Sequence, residues 1–393
     1  MSAVPVYAHD LFTDEVLQDP YERYRSLREL GPVVWLEAHQ MYVFPRYAEV
    51  RAALADATTF CSGRGVGLND FINSTAVGTT LMSDGEQHTR NRALLFGPLT
   101  PKALVPLREA VQTTADKLVD ELADQRRFDA VADLARALPL SVVPDLIGWP
   151  EHGREHLLDW ASATFEALGP PNERAQRAVP RVGELMEFAI RTAAQGEFVP
   201  GGVGARLLEA VERGEIRPEE APALVLDYLA PSMDTTISAI GSAVWLLGRH
   251  PDQWRAVKDD PGLIPRAFNE VVRLESPIRC FTRVTTEDTT VADHRLPADS
   301  RVMLLYASAN RDERFWDRPD EFDVRRADVG AQLGFGFGTH NCAGQGLARL
   351  ESQAILAALT ARVETLSLGE PVRGLNNLIN AFTSLPVEVT PAR

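Results

Sequence analysis

The chain has 393 residues, of which 45% are hydrophobic and 24% are charged, and its formal net charge is −15. This composition indicates a globular protein with a large core. The acidic balance argues against a nucleic-acid binder, which would usually carry a basic patch. The three cysteines lie far apart and do not indicate a disulfide framework, so a reducing cytoplasm fits. Residues 1–10 lack the basic and apolar regions of a secretory signal.

The N-terminal part predicts a helix and then two short strands. The helical pattern covers residues 19–30 and ends at a Gly-Pro break. Residues 33–36 and 41–44 are rich in β-branched and aromatic side chains, which predicts two strands joined by a turn. A second helix is predicted from Tyr47. Residues 61–80 are rich in Gly, Ser, Asn and Thr, which indicates a mobile loop with one short helix.

His88 and Arg92 belong to the next helical pattern and lie four residues apart. On a helix this spacing places both side chains on the same face, where together they can hold an acid group. Taken alone, the pair is weak evidence for such a site.

Helical patterns dominate the middle of the chain. Residues 105–160 predict two or three amphipathic helices with breaks near Pro139 and at 148–150, and residues 168–171 separate two further helices. The stretch 222–248 is apolar and long enough to suggest a membrane span. Because acidic residues and a proline interrupt it, a long buried core helix is the better prediction.

Asp234 and Thr235 lie in this apolar helix. An acid beside an alcohol in such surroundings should be hydrogen-bonded or functional. Pro231 lies one turn before them and has no N–H group. It should therefore free the carbonyl of Asp227 and kink the helix.

Residues 335–344 read Phe-Gly-Phe-Gly-Thr-His-Asn-Cys-Ala-Gly, and an amphipathic helical pattern follows at once. Cys342 is therefore predicted just before a helix N-terminus, where N–H groups and the helix dipole lower the pKa of a thiol. The glycines allow a large flat group to approach the backbone. A thiolate in such a loop suits one axial side of a haem iron.

Two other interpretations of the loop are a free cysteine and a zinc site. Structural zinc usually has four ligands in paired spacings. Neither Cys61 nor Cys280 has such a pairing with His340 and Cys342, so zinc is the poorer fit.

The loop resembles the haem-binding signature of the cytochrome P-450 family. Every fixed position of that signature is matched, by Phe335, Gly336, Gly338, His340, Cys342 and Gly344. The resemblance extends over nearly the whole chain, from residue 19 to residue 386. It implies a mainly α fold with small β-sheets, shaped as a triangular helical prism with a long central helix over the haem. It also implies a single domain over residues 1–393.

The resemblance assigns roles to residues along the chain. The residues implied in binding haem b are His88, Arg92, Arg283, Phe335, His340, Cys342 and Gly344. Among these, Cys342 is the implied axial ligand of the iron, and the two histidines and two arginines are the implied partners of the propionates.

Asp234 and Thr235 match the family's acid–alcohol pair, which delivers protons to oxygen. The family usually has Ala-Gly where this chain has Pro231 and Ser232, and that departure leaves the shape of the oxygen pocket open.

Glu270 and Arg273 match a structural ion pair that braces the haem-binding core. By spacing alone the two would be a common ion pair that contributes little stability. The usual third partner of the pair is absent, and Arg325 or Arg326 can substitute.

The residues implied at the substrate pocket are Phe71, Phe165, Ile278, Phe281 and Phe382. They indicate a small, flat, apolar substrate. The segment from Glu275 to Arg349 most resembles bacterial members that oxidise substituted aromatic acids and ethers.

The implied activity is that of a haem-thiolate monooxygenase acting on a small organic molecule by hydroxylation or oxidative O-demethylation. Electrons are expected from NAD(P)H through a separate ferredoxin reductase and ferredoxin, because the chain has no flavin or iron–sulfur motif. The N-terminal anchor helix of membrane-bound members is not found, so a cytoplasmic monomer is expected.

Two alternatives stay open. One is a peroxide-driven peroxygenase, which the intact Asp234–Thr235 pair disfavours because that pair serves oxygen and two protons. The other is a haem-binding sensor or carrier without turnover. Product formation that depends on NAD(P)H and ferredoxin distinguishes the monooxygenase from both.

Overall fold

The computed structural model describes residues 3–76 and 78–392, and most of them are helical. The α-helices are α1 (Asp14–Gln18), α2 (Tyr21–Leu30), α3 (Tyr47–Ala55), α4 (Asp70–Thr75), α5 (Gly85–Phe96), α6 (Pro101–Leu104), α7 (Leu107–Gln125), α8 (Ala137–Ile147), α9 (Leu157–Ala167), α10 (Glu173–Gln195), α11 (Val203–Glu212), α12 (Glu220–Arg249), α13 (Pro251–Asp259), α14 (Ile264–Glu275), α15 (Tyr306–Ala309) and α16 (Gln345–Arg362).

The strands are short. They are β1 (Val6–Tyr7), β2 (Val34–Leu36), β3 (Met41–Phe44), β4 (Phe60–Cys61), β5 (Arg127–Asp129), β6 (Phe281–Thr285), β7 (Thr289–Val291), β8 (His294–Leu296), β9 (Arg301–Leu304), β10 (Val363–Leu368), β11 (Val372–Arg373), β12 (Phe382–Ser384) and β13 (Pro386–Pro391). The two strands predicted near residues 33–44 are confirmed as the antiparallel pair β2 and β3.

A six-stranded sheet joins the N-terminal part of the chain to residues 281–304. Its order is β1-β2-β3-β9-β6-β4, so strand β9 from the C-terminal half lies between β3 and β6. β9 pairs parallel with β3 and antiparallel with β6. The remaining strands form a three-stranded sheet, β10-β13-β5, and two hairpin-like pairs, β7-β8 and β11-β12.

Helix α12 runs through the centre of the molecule. It packs against α8, α9, α10, α14 and α16, and most of its side chains are buried. The predicted long core helix is therefore confirmed. Among the described residues, no helix combines the length and apolarity that a membrane crossing needs.

One predicted helix break is wrong. Pro139 lies in the first turn of α8 instead of ending a helix. Proline is tolerated there because the first N–H groups of a helix have no partner within the helix. The break falls earlier, at Arg126, which adopts a left-handed conformation with φ of 62°, and the chain then forms β5. The predicted break at residues 148–150 is confirmed, since Gly148 ends α8.

Candidate functional site

The loop before α16 is a tight turn that only glycine accommodates at two positions. The N–H of Cys342 donates to the carbonyl of Phe335 at 2.7 Å, which closes the loop. Gly336 and Gly338 have φ values of 69° and 71°, and a Cβ atom on Gly338 would lie 2.5 Å from the carbonyl oxygen of Leu54. The glycines are thus needed by the backbone of the loop itself, in addition to the approach of a flat group that the sequence suggested.

The surroundings of the Cys342 sulfur act in opposite directions on its pKa. Burial raises the pKa of the thiol and is the largest effect. The N–H groups of Gly344 and Gln345 and the guanidinium groups of Arg92 and Arg349 lower it, but by less. For the protein chain by itself, the predicted net lowering of this pKa is therefore wrong. A metal cation on the sulfur reverses the balance, since a coordinating thiol is deprotonated outright.

Helix α5 brings the predicted His–Arg pair against this loop. The rings of His88 and His340 lie 4.2 Å apart between centroids. Arg92 Nη2 donates to the carbonyl oxygen of Asn341 at 2.9 Å and to its Oδ1 at 2.8 Å. His340 Nε2 lies 3.2 Å from Oδ1 of Asp84, the residue just before α5. Three of the predicted propionate partners therefore lie beside the cysteine loop.

His88 has an unsatisfied ring nitrogen. Its side chain is buried, and within the described part of the chain Nε2 has no hydrogen-bond partner. Burial, together with the nearby His340 and Arg92, lowers the pKa of His88 to about 4. A buried polar atom without a protein partner points to a ligand or water. An acid group such as a haem propionate fits this cluster of donors.

Arg283 lies on β6 and makes different contacts. Its Nη1 donates to the carbonyl oxygen of Thr282 at 2.8 Å. The guanidinium also faces Tyr306, where burial raises the pKa of the phenol and Arg283 partly opposes that rise. It is buried like the others, but its contacts are with β6 and α15 and not with His88, Arg92 or His340.

Helix α12 is continuous through Pro231, and the hydroxyl groups of this region bond back along the helix. Thr235 Oγ1 donates to the Pro231 carbonyl at 2.8 Å, and Thr236 Oγ1 donates to the Ser232 carbonyl at 3.2 Å. Asp234 faces α9, where the hydroxyl of Ser162 is its closest partner. Burial raises the pKa of Asp234 to about 7, against the lowering effect of that hydroxyl.

One side of α12 is exposed in the middle of the helix. Pro231 is exposed, and Asp227 and Thr235, four residues before and after it, are partly exposed. Ala230 and Met233, which point to other sides, are buried. Because a spacing of four residues follows one side of a helix, Asp227, Pro231 and Thr235 form a single exposed stripe. We call it the open stripe.

Three of the predicted pocket residues share one core cluster. Phe165 and Ile278 are buried in it, and Phe281 packs against it from β6. The other two lie elsewhere. Phe382 is buried in a second cluster, against Trp245 at 5.3 Å between ring centroids. The side chain of Phe71 on α4 is 60% exposed.

The structural ion pair has a third member. Glu270 and Arg273 are fully buried, and Arg273 Nε and Nη2 contact the two carboxylate oxygens of Glu270 at 2.7 and 2.8 Å. Arg326 Nε contacts the same two oxygens at 3.0 and 3.1 Å. Arg325 is exposed, so of the two candidates it is Arg326 that completes the cluster.

Several contact residues were not predicted from the sequence. Asp84, Asn341 and Ser162 are ordinary polar residues whose partners come from distant parts of the chain. The one available signal was that Asp84 directly precedes a helical pattern, where a fixed carboxylate is common. Chain spacing gives no comparable signal for Asn341 or Ser162.

Comparison with known proteins settles the family. The family profile described as Cytochrome P450 matches residues 262–378. Cytochrome p450 CYP199A2 of Rhodopseudomonas palustris is 42% identical in a match that covers 100% of this chain and 96% of that relative. This chain belongs to the cytochrome P450 family. Members of the family are haem-thiolate enzymes that use O2, so the expected enzyme class and cofactor class are confirmed.

Solved cytochromes P450 share the whole fold. Mycobacterium marinum cytochrome P450 CYP268A2, in complex with pseudoionone, matches with a TM-score of 0.88 at 25% identity and covers 99% of this chain and 100% of its own. Cytochrome P450 CREJ, in complex with (4-ethylphenyl) dihydrogen phosphate, matches with a TM-score of 0.87 at 27% identity, covering 95% and 98%. The predicted fold class is therefore confirmed.

Proposed function

We propose that residues 1–393 form a single catalytic domain that inserts one atom of O2 into a small organic substrate, by hydroxylation or oxidative O-demethylation. The observation that carries this proposal is the arrangement around Cys342. Its sulfur lies at a helix N-terminus beside Arg92 and Arg349, and His88 and His340 lie next to the same loop.

Cys342 is the residue that would bind the iron of haem b through its sulfur. The bound haem supplies the oxidation of the substrate, while the protein supplies orientation, protons and exclusion of water. The N–H groups of Gly344 and Gln345 stabilise the thiolate of Cys342. Arg349 lies 4.6 Å from the ring centroid of Phe335, so this cation and the aromatic ring hold each other beside the sulfur.

The propionates are the proposed partners of His88, Arg92, His340 and Arg283. Arg92 also binds Asn341, and a guanidinium has donors enough for both the loop and an acid group. On the opposite side, Asp234 and Thr235 are the proposed proton carriers.

Electrons are proposed to come from NAD(P)H through a separate ferredoxin reductase and ferredoxin. Arg51 of α3 lies 4.1 Å from the ring centroid of Phe337, a partly exposed residue of the cysteine loop. Lys102 is exposed on α6. These cations offer an acidic ferredoxin a docking surface, although the chain as a whole carries a net charge of −15.

A substituted aromatic is the proposed kind of substrate. The shared cluster of Phe165, Ile278 and Phe281 supports a flat apolar molecule. The ligand named for cytochrome P450 CREJ, (4-ethylphenyl) dihydrogen phosphate, is also a substituted aromatic.

The test begins with the iron ligand. Reduced protein under carbon monoxide should show the strongly red-shifted Soret band of a thiolate-ligated haem. Cys342→His should lose that band, and retention of the band in Cys342→Ala would refute the proposed ligand. Product formed only with NAD(P)H and a ferredoxin chain then separates a monooxygenase from a peroxygenase and from a sensor or carrier.

A further inference from the structure

Asp227 is an acid on the open stripe of α12. It lies eight residues before Thr235, which is about 12 Å along a helix at 1.5 Å per residue. Both residues are partly exposed on the same side of the helix. An elongated molecule that lies along the open stripe with its reacting carbon near Thr235 would extend toward Asp227.

The carboxylate of Asp227 is fixed by the loop between α4 and α5. It accepts hydrogen bonds from the backbone N–H groups of Thr80 and Leu81. The same loop has a second attachment, since Asn91 Nδ2 donates to the carbonyl of Gly78 at 2.9 Å. The loop thus does not depend on Asp227 alone for its position.

Hydrogen-bonding capacity is left over at this place. A carboxylate has about four lone-pair sites, and three donors of the loop act on Asp227: the backbone N–H groups of Thr80 and Leu81 and the hydroxyl of Thr80. About one acceptor site of the carboxylate is left for a donor from a bound molecule.

The negative charge of the Asp227 carboxylate is not balanced by a nearby cationic side chain. Burial raises the pKa of Asp227 to about 7, and the two loop N–H groups oppose that rise. The causes of this shift include no cationic side chain. The N–H groups of Thr80 and Leu81 favour the ionised form of this carboxylate.

We propose that Asp227 is a specificity-determining residue that selects substrates with a hydrogen-bond donor, neutral or cationic, at the end remote from the oxidised carbon, and rejects carboxylates there. The proposal rests on the proposed monooxygenase function, which it deepens. The proposal narrows the expected substrates from substituted aromatics in general to aromatic amides, amidines, alcohols or amines. It excludes the aromatic acids that the sequence resemblance suggested.

The physical reason is the placement of like charges. A substrate carboxylate near Asp227 would put two anions together in a partly desolvated site, which is costly. An amidinium or amide would instead donate to the free lone pairs.

Three probes of one shape test the proposal: 4-methoxybenzamidine, 4-methoxybenzamide and 4-methoxybenzoate, which are cationic, neutral and anionic at pH 8. Their affinities for the haem-loaded protein are measured by equilibrium dialysis and by the haem spin-state shift. In the unmodified protein the amidine should bind at least about tenfold more tightly than the benzoate, with the amide between them. In Asp227→Asn that ratio should fall by at least about tenfold, mainly because the benzoate binds better.

The matched control is Asp124→Asn, which makes the same change of charge at an exposed position on α7 and should leave the ratio unchanged. If Asp227→Asn fails to fold, Asp227→Ser provides the same test with a smaller polar group. The carbon monoxide band is recorded for every variant. Loss of that band would count against the proposed function, whereas dialysis reports the charge preference whether or not the protein turns over.

Three outcomes would overturn the proposal. One is a benzoate that binds the unmodified protein as tightly as the amidine. A second is an amidine that does not bind. The third is an equal loss of affinity for all three probes in Asp227→Asn, which would show that the residue only positions the loop.

Discussion

Thr235 donates its hydroxyl hydrogen to the carbonyl of Pro231, so it is free to accept a hydrogen bond but must break this contact to donate elsewhere. Thr235→Ala should keep the haem spectrum and probe binding. It should lower the product formed per NADH severalfold, with hydrogen peroxide released instead, because the proposed proton carrier is lost. Product, NADH and peroxide are measured with the ferredoxin chain present.

The matched controls are Ser232→Ala and Thr236→Ala, which remove neighbouring hydroxyls of the same helix. Thr236 is buried, whereas Thr235 lies on the open stripe. Coupling that stays intact in Thr235→Ala but fails in either control would place the proton path away from Thr235. Asp234→Asn should slow turnover as well, since an amide cannot take up and pass on a proton as a carboxyl does.

Arg92 connects α5 to the cysteine loop and is a proposed propionate partner, so we expect its loss to release haem. Arg92→Ala removes two hydrogen bonds to Asn341 and a proposed propionate contact. Hydrogen bonds to charged groups contribute about 1.5–3 kcal/mol, so haem transfer to apomyoglobin should become about tenfold faster or more. Arg283→Ala should also speed the transfer, by less, because Arg283 does not anchor the loop.

Exposed Arg325→Ala is the control for both arginine variants and should match the unmodified protein. Equal haem content in all three variants after gel filtration would contradict the proposed propionate contacts.

For individual residues, the sequence predicted positions along the chain but not contacts between distant segments. The place of Cys342 before α16 was predicted from the glycine pattern, and the structure agrees. The direction in which the pKa of its thiol is shifted was not predicted correctly, because burial depends on how distant elements pack over the loop. The contact of Asp227 with the loop at Thr80 was missed for the same reason.

At the scale of elements, Arg326 fixes the segment before the cysteine loop onto α14. Glu270 is buried between two guanidinium groups, and burial lowers the pKa of Arg273. Glu270→Gln would leave those cations without a countercharge. Removing one member of a buried ion pair costs about 3–5 kcal/mol, so we expect a large fall in the free energy of unfolding. Thermal or urea unfolding of the haem-loaded protein measures it.

The neighbouring residues Arg325 and Arg326 provide a matched pair of variants for this test. Arg326→Ala should destabilise the protein clearly, whereas Arg325→Ala, one residue earlier and exposed, should change the stability by less than about 0.5 kcal/mol. Equal stability of the two variants would mean that Arg326 does not brace the core.

Most elements were predictable because their signals are local. The central helix was recognisable from its long apolar run, and the end of α8 from Gly148. Pro139 gave a wrong break because proline is compatible with a first helical turn, and the sequence does not show where that turn falls. The contact of Phe382 with Trp245 was not predictable, since a hairpin does not reveal which core it enters, and its place at the substrate pocket stays a prediction.

At the scale of the whole molecule, Glu351 should make stability depend on pH. It is fully buried on α16, and neither carboxylate oxygen has a partner within residues 3–76 and 78–392. Burial raises its pKa from 4.5 to about 8. The folded protein thus holds a proton that the unfolded chain releases, so the contribution of Glu351 to stability is lost as pH rises from about 4.5 through 8.

Glu351→Gln stays neutral and should escape this loss. Its stability relative to the unmodified protein should increase between pH 5.5 and 8.5, reaching the order of a few kcal/mol. Melting temperatures of the haem-loaded proteins across this range provide the measurement. Glu370→Gln changes an exposed residue and serves as the control, and its melting temperature should vary with pH as that of the unmodified protein does. A constant difference between Glu351→Gln and the unmodified protein would contradict the buried, neutral state of Glu351.

The position of β9 in the large sheet has a consequence for synthesis on the ribosome. Strands β1 to β3 leave the ribosome early, and β3 can pair with β2, but its second neighbour forms only when Arg301–Leu304 is made. At ~5–20 residues per second, that delay is on the order of tens of seconds. During it one edge of β3 is unpaired, and unpaired edges pair readily with other chains. Nascent or truncated chains that stop before residue 301 should therefore be retained by chaperones or aggregate, even though their helices can already form.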